Sequence, residues 1–386
     1  GIALRIYECD YSITGKQREV DMRKMRLTGI AAVAVAAMIA VPASADFNSD
    51  WKALIAAAQK EGKVVLAAVP GTGMRRTMPE FFEKKFGVKL EVVVTPSRQT
   101  AQRAIREAAV GAQTIDVFST GQSTLIRVLY PKGLLAPIKP LLIHPDVINN
   151  KAAWMKGEPW FLDDKKEYMF RAVDLVIPMA FVNTKHVDPN GFNHTNDFLD
   201  PKYKGKIVVY DPTRPGPGSN AISYYMKFLG EKYVIDLIKG QKAKLTRNRR
   251  QLVDWLAQGR YPIAFAASIN EIARLRREGF KIAAVQPKNV ISYDAPGSGV
   301  ITLLNNAPHP KAAQLFLNWI MTKEGMKMYQ DLEGMPVTRV DVGREGLMVP
   351  ETVPKPGVKY FDTASYDYVV GESGKLFGKL KRLLKR

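Results

Sequence analysis

One cysteine, Cys9, is all that 386 residues contain, so the chain cannot form an internal disulfide. Histidine is almost as scarce. His144, His186, His194 and His309 stand far apart with no H-x-x-x-H spacing, so neither a zinc site nor a Cys/His catalytic pair is expected, and no cofactor. Acidic residues are few against basic ones, 37 to 57, a formal charge of +20. The first 45 residues hold only 6 of those cations and 4 of the acids, so the excess belongs to the remainder. Such a body suits nucleic acid, an anionic membrane surface or an anionic ligand. The cations are dispersed, and no zinc-ligand spacing, RNA-binding signature or helix-turn-helix pattern accompanies them, which argues against nucleic acid. There is no nucleophile-elbow motif and no paired-carboxylate pattern, which argues against an exported enzyme. The longest apolar run has 15 residues, too short to cross a bilayer comfortably. No internal repeat is present.

That apolar run, 27–41, follows the basic stretch Met22, Arg23, Lys24, Met25, Arg26 and precedes Ala43-Ser44-Ala45. Basic region, apolar region and small-x-small site in this order describe a secretory signal peptide, 22–45, cleaved after Ala45; the competing reading is a buried helix. Residues 1–21 precede the first methionine and are an upstream extension outside the fold. Export without cysteines fits the bacterial periplasm.

The body alternates strand and helix. Strands are expected at 64–69, 90–95 and 115–118 and helices at 50–60, 77–86 and 100–110, which implies a parallel sheet covered on both faces. Thr72, Ser97, Ser119 and Thr120 fall just after these strands and converge on one carboxyl edge, where open α/β sheets bind ligands. Ser and Thr are also ordinary turn and cap residues. Residues 134–160 are irregular. An apolar strand at 172–182 crosses between lobes.

Residues 205–229 read as a strand (207–210), a Gly/Pro loop and a helix from 222, with Ser219 or Asn220 at the N-cap. Such a junction offers free N–H groups and the positive end of a helix dipole to an anion, although it is also an ordinary βα connection. Arg214 lies in the loop, pointing to ligand or to solvent. Further helices are expected at 233–240, 250–257 and 271–278, and strands at 261–267, ending before Ser268, 280–287 and 300–304. Asp294 lies in a loop, 294–298, where it holds a ligand amine or caps a turn. One long amphipathic helix is expected at 311–328. Residues 375–386 form a basic amphipathic helix that packs on the first lobe or touches an anionic membrane surface.

Several stretches resemble the substrate-binding proteins of ABC importers, in the group that includes the ferric-ion-binding proteins. They are Thr114-Ile115-Asp116-Val117-Phe118 with Gly133-Leu134-Leu135-Ala136-Pro137, then Phe198-Leu199-Asp200-Pro201-Lys202-Tyr203-Lys204-Gly205-Lys206-Ile207. That stretch runs on to Asp211-Pro212, and Leu256-Ala257-Gln258-Gly259-Arg260-Tyr261-Pro262-Ile263 and Lys311-Ala312-Ala313-Gln314-Leu315-Phe316-Leu317 with Lys323-Glu324-Gly325 complete the set. The resemblance implies an α/β, two-lobed periplasmic-binding-protein fold, each lobe a sheet flanked by helices, joined by crossing hinge strands. It places the first lobe at 46–175, the second at 176–292, a return to the first at 293–345 and a C-terminal segment at 346–386. It implies a monomeric, non-enzymatic capture protein that hands a solute to an inner-membrane permease.

Ferric members of the group use a glutamate, a histidine and a paired tyrosine. The matching positions here hold Gln122, the Thr72-Gly73 region and Ala267-Ser268-Ile269-Asn270, a set poor in the oxygen anions Fe(III) requires. Tyr224-Tyr225 lies within a helix and reads as packing. Hydroxyls, amides and arginines fit instead a small anion (carboxylate, phosphonate or phosphate ester), with ferric ion as the alternative.

Overall fold

The computed structural model of the protein describes residues 46–70 and 73–385. The expected leader and cleavage point lie outside these residues, as does Thr72.

In chain order the elements are α1 (Phe47–Glu61), β1 (Lys63–Ala68), α2 (Thr77–Phe86), β2 (Lys89–Val94), α3 (Ser97–Ala109), β3 (Val117–Thr120), α4 (Gln122–Thr124), β4 (Leu135–Ala136) and α5 (Pro145–Ile148). Three short strands follow: β5 (Met169–Arg171), β6 (Leu175–Ile177) and β7 (Ala180–Asn183). Then come β8 (Ile207–Tyr210), α6 (Pro217–Ile235), β9 (Lys244–Thr246), α7 (Arg249–Ala257), β10 (Ile263–Phe265), α8 (Ile269–Arg277) and β11 (Ile282–Val285). The chain ends with β12 (Tyr293–Ala295), β13 (Val300–Leu304), α9 (Pro310–Ile320), α10 (Lys323–Glu333), β14 (Phe361–Asp362) and α11 (Ser373–Leu384).

The strands build two main sheets, one for each lobe. In the first the order is β2-β1-β3-β13-β4, with β5 also on β13. β1 runs parallel to β2 and β3, as the helix–strand alternation predicts, and β13 returns antiparallel. In the second the order is β11-β7-β10-β8-β9, with β8 parallel to its neighbours. Helices cover the sheets because the strands bury both faces: five of six residues in β1 and all of β10 and β13 are buried.

A third, small sheet, β14-β12-β6, sits where the chain passes between the other two. The expected single strand at 172–182 is in fact two strands, β6 and β7, in two sheets, just after β5 in the third. A chain leaving one sheet for another must change direction, and buried Pro178 interrupts any ladder between β6 and β7. The return path does the same through β11, β12 and β13. The two crossings pair with each other, Tyr293 opposite Ile177 and Ala295 opposite Leu175. Asp294 therefore sits in a strand, where a loop is expected from its neighbours Pro296 and Gly297.

The expected long helix at 311–328 is two helices. The Thr322 hydroxyl donates to the Trp319 carbonyl (2.6 Å) and accepts the Gly325 N–H (3.2 Å), so α9 stops and α10 starts afresh. A Cβ on Gly325 would lie 2.3 Å from the Trp319 oxygen, so only glycine fits this corner.

At the crossings lies Arg171, fully buried. Its guanidinium pairs with Asp174, with Asp294 (3.0 Å) and with Asp362 (2.9 Å), and lies 4.0 Å from the Trp160 ring centre. One cation thus serves three carboxylates. Burial pushes the Asp294 carboxyl up to about 7 against the pull of Arg171, with the Asp174 and Asp362 charges adding to the rise. Burial raises Asp174 as well. A carboxyl whose folded pKa lies above its unfolded value of about 3.9 stabilises the fold most below that value, and the contribution is lost as pH rises through 7. Asp294→Asn should remove this loss. Urea unfolding at pH 4.5, 6 and 7.5 is expected to show the variant gaining on the parent as pH rises, by roughly 2–4 kcal/mol across the window. A pH-independent difference would mean that Asp294 is ionised throughout.

Candidate functional site

β8 ends at Tyr210 because Asp211 turns the chain. Its carboxylate accepts the Thr213 N–H (2.9 Å) and hydroxyl (2.6 Å) and pairs with Arg247 (2.7 Å). Gly216 then takes φ 145°, open to glycine alone, and serves as the N-cap of α6. The helix begins at Pro217, five residues earlier than its apolar pattern suggests. The N-cap is therefore neither Ser219 nor Asn220. Proline ends elements, but its fixed φ and missing N–H also suit the first helical position, and that role is the one realised here. Ser219 is the third helical residue: its hydroxyl accepts the Gly216 N–H (3.0 Å) and donates to the Gly216 carbonyl (2.9 Å). Gly218 lies so close to β8 that a Cβ would stand 2.1 Å from the Tyr210 carbonyl oxygen.

This first turn borders a cavity of about 470 Å³. α6 contributes Gly216, Ser219, Asn220 and Ser223, one helical face. α3 contributes a face of the same spacing, Arg98, Ala101, Gln102 and Ile105. Ser123 and Thr124 of α4, with Arg127 and Val128 of the wider turn after it, extend that side. α3 and α4 flank strands of the first sheet and α6 follows a strand of the second, so the cavity lies between the lobes. Its third wall is the C-terminal segment, through Thr363, Tyr368, Ser373 and Phe377.

The lining includes two guanidiniums and no carboxylate. Among the described residues neither arginine pairs with an acid; Arg127 instead donates to the Val369 carbonyl (2.8 Å) and to Ser373. Burial pushes the Tyr368 phenol up to about 12, so it presents a neutral hydroxyl at ordinary pH. The Ser223 hydroxyl is buried and has no hydrogen-bond partner among the described residues.

Of the residues expected at the site, Ser219 and Asn220 line this cavity, and Arg214 is exposed in the loop beside it. Ser97 opens α3 next to Arg98 and accepts a hydrogen bond from Thr120 (2.6 Å). Ser119 and Thr120 stand within β3, which ends two residues later than expected; Ser119 bonds the Ser298 carbonyl (3.2 Å) and the Tyr329 hydroxyl (3.3 Å). Gln122 is buried at the start of α4, and Ser268 precedes α8. Asp294 is held by Arg171 at the crossings. Tyr224 and Tyr225 are both buried, their hydroxyls donated to the Ile291 and Met179 carbonyls, and burial pushes both phenols up. Among the described residues no three His, Cys, Asp or Glu side chains cluster as a metal site would require.

Arg127, Ser223, Tyr368 and Phe377 escaped the sequence reading. Only Phe377 carried a signal, as part of the amphipathic pattern at 375–386. That helix, α11, does not pack on the first lobe: Leu380 and Leu384 are buried with Tyr224, Tyr225 and Val234 in the core of the second. No described helix is long and apolar enough to cross a membrane.

Residues 63–331 match the family described as bacterial extracellular solute-binding protein. Over 288 residues the chain is 23% identical to an uncharacterized protein of Haemophilus influenzae, spanning 72% of this chain and 78% of that one. Among solved structures it is similar to the periplasmic binding protein AfuA from Actinobacillus pleuropneumoniae with fructose-6-phosphate bound. The TM-score is 0.65 at 20% identity, over 84% of this chain and 98% of that one. It is also similar to the ferric binding protein from Campylobacter jejuni (TM-score 0.64, 16% identity, 84% and 100% covered) and to iron-bound HitA from Pseudomonas aeruginosa (0.59, 16%, 84% and 99%). At these identities the likeness is one of fold.

Proposed function

Since the chain belongs to the family of bacterial extracellular solute-binding proteins, we propose that it captures a small anionic solute between its lobes and delivers it to an inner-membrane ABC permease. The observation that carries this reading is the cavity lining, with Arg98, Arg127 and the first turn of α6 and no carboxylate. Exposed N–H groups at a helix start and guanidiniums favour carboxylate, phosphonate or phosphate. Ser97 and Arg98 stand on one side and Ser219 and Asn220 on the other. An anion touching both sides binds the closed form better than the open one, and this difference drives closure. The protein works as a periplasmic monomer released from its leader after Ala45, by binding and release with no chemical step.

Two of the similar structures are iron-binding proteins, so ferric ion is the competing cargo. A thermal-shift panel on the purified, ligand-stripped protein separates the two. It holds ferric citrate with a citrate control, phosphate esters, phosphonates, dicarboxylates, sugars and amino acids. A ligand at 100 times its Kd adds about 2.7 kcal/mol, a rise of several degrees in Tm. An organic anion is expected to produce that rise. A rise with ferric citrate alone would overturn the reading and call for rearrangement of Tyr224 and Tyr225.

A further inference from the structure

The family match ends at residue 331, yet one wall of the cavity comes from residues beyond it. After β14 joins β12, the chain passes Thr363, whose hydroxyl donates to the Asp294 carbonyl (2.7 Å). It is then fastened on both sides. Arg127, from the first lobe, holds the Val369 carbonyl, and Lys227 of α6, in the second, pairs with Glu372 (2.5 Å). The segment so held brings Tyr368 and Phe377 to the cavity. It is a built part of the site.

The lining has two characters. Arg98, Arg127 and the α6 first turn are cationic or rich in N–H groups. Ala101, Ile105, Val128 and Phe377 present carbon, and they span the α3 side and the C-terminal wall. A bare oxyanion or a fully hydroxylated sugar phosphate satisfies the first character and leaves the second facing water or unmatched hydroxyls. On the α6 wall, one turn inward from Ser219, the Ser223 hydroxyl is 1% exposed and unpaired among the described residues. Buried polar atoms are rarely left so, and a ligand atom at this depth would satisfy it.

Resting on the anion reading above, we infer that the solute is an organic anion with an apolar body. Its charged group lies at the arginines and the first turn of α6, its body against Ile105, Val128 and Phe377, and one polar atom reaches Ser223. The C-terminal segment thereby selects the solute.

Calorimetric titration of the full-length protein with two matched pairs tests this: phenyl phosphate against glycerol 3-phosphate, and 3-phenylpropanoate against propanoate. The aryl member of at least one pair is expected to bind about tenfold tighter or better, since burying a ring removes much apolar surface from water. Phe377→Ser should remove most of that preference. Val128→Asn, on the opposite wall, should do the same if Phe377→Ser loosens α11. Equal or tighter binding of the hydrophilic members overturns the inference and leaves the anion reading standing. A preference that survives both substitutions overturns the assignment of these walls. If none of the four binds, the inference falls; if ferric ion alone binds, the anion reading falls with it.

Discussion

Arg171→Met is expected to destabilise the protein by about 3–5 kcal/mol, a large share of the stability of an ordinary domain. The guanidinium is fully buried, and Asp174, Asp294 and Asp362 all lean on it. Its Nε also donates to the Val173 carbonyl (3.2 Å). Methionine fills much of the volume but leaves three carboxyls with no cation, Asp174 and Asp294 buried and Asp362 half-buried, and the cost is that of leaving them unpaired rather than of losing packing. The pH dependence identifies the cause. Protonation relieves the repulsion, so the deficit should shrink toward pH 5 and widen toward pH 8. Urea unfolding at the two pH values measures both effects. A loss below about 1 kcal/mol would show that the crossings hold together by strand pairing and apolar packing alone. The substitution is also expected to act on lobe movement, because the three carboxylates belong to the segment after β5, to β12 and to β14, the pieces that pass between or join the main sheets.

Gly218→Ala is expected to weaken solute binding by about 2–4 kcal/mol, some 30- to 1000-fold, while costing about 1–3 kcal/mol in stability. The added Cβ would meet the Tyr210 carbonyl at 2.1 Å and the Asp211 oxygen at 3.0 Å. Both are backbone atoms, so no side chain can swing aside. The first turn of α6 must move off the end of β8, shifting Ser219 and Asn220 at the cavity wall. Calorimetry with the best anion from the panel, alongside circular dichroism to confirm the fold, checks this. Parent-like affinity in a folded variant would remove the helix start from the binding site. Ser219→Ala is the milder comparison. It loses the bonds to Gly216 without displacing the turn and should cost about 1 kcal/mol of stability.

Local pattern made most of the elements legible. α2, β8 and β13 have the bounds that apolar spacing predicts, and β1, β2 and α7 match within a residue, because period, glycine stops and β-branched runs act over short distances. Where a tertiary contact overrides local preference, the reading failed. Pro217 opens α6 because β8 has just turned through Asp211. Thr322 divides a continuous amphipathic pattern because Gly325 packs on the Trp319 carbonyl. The strand at 172–182 divides because two sheets compete for it.

By itself the sequence determined the α/β class, the alternation behind the parallel sheet, the βα junction at 205–220 and the family. These follow from composition, spacing and short motifs that need no partner elsewhere in the chain. Tertiary structure alone brought Arg127, Ser223 and Phe377 into one cavity with Ser219 and Asn220. They are scattered along the chain, and no periodicity relates residues on helices of different lobes. It also decided that Asp294 faces Arg171, since three carboxylates come to one guanidinium only when two crossings and a C-terminal strand meet in one small sheet.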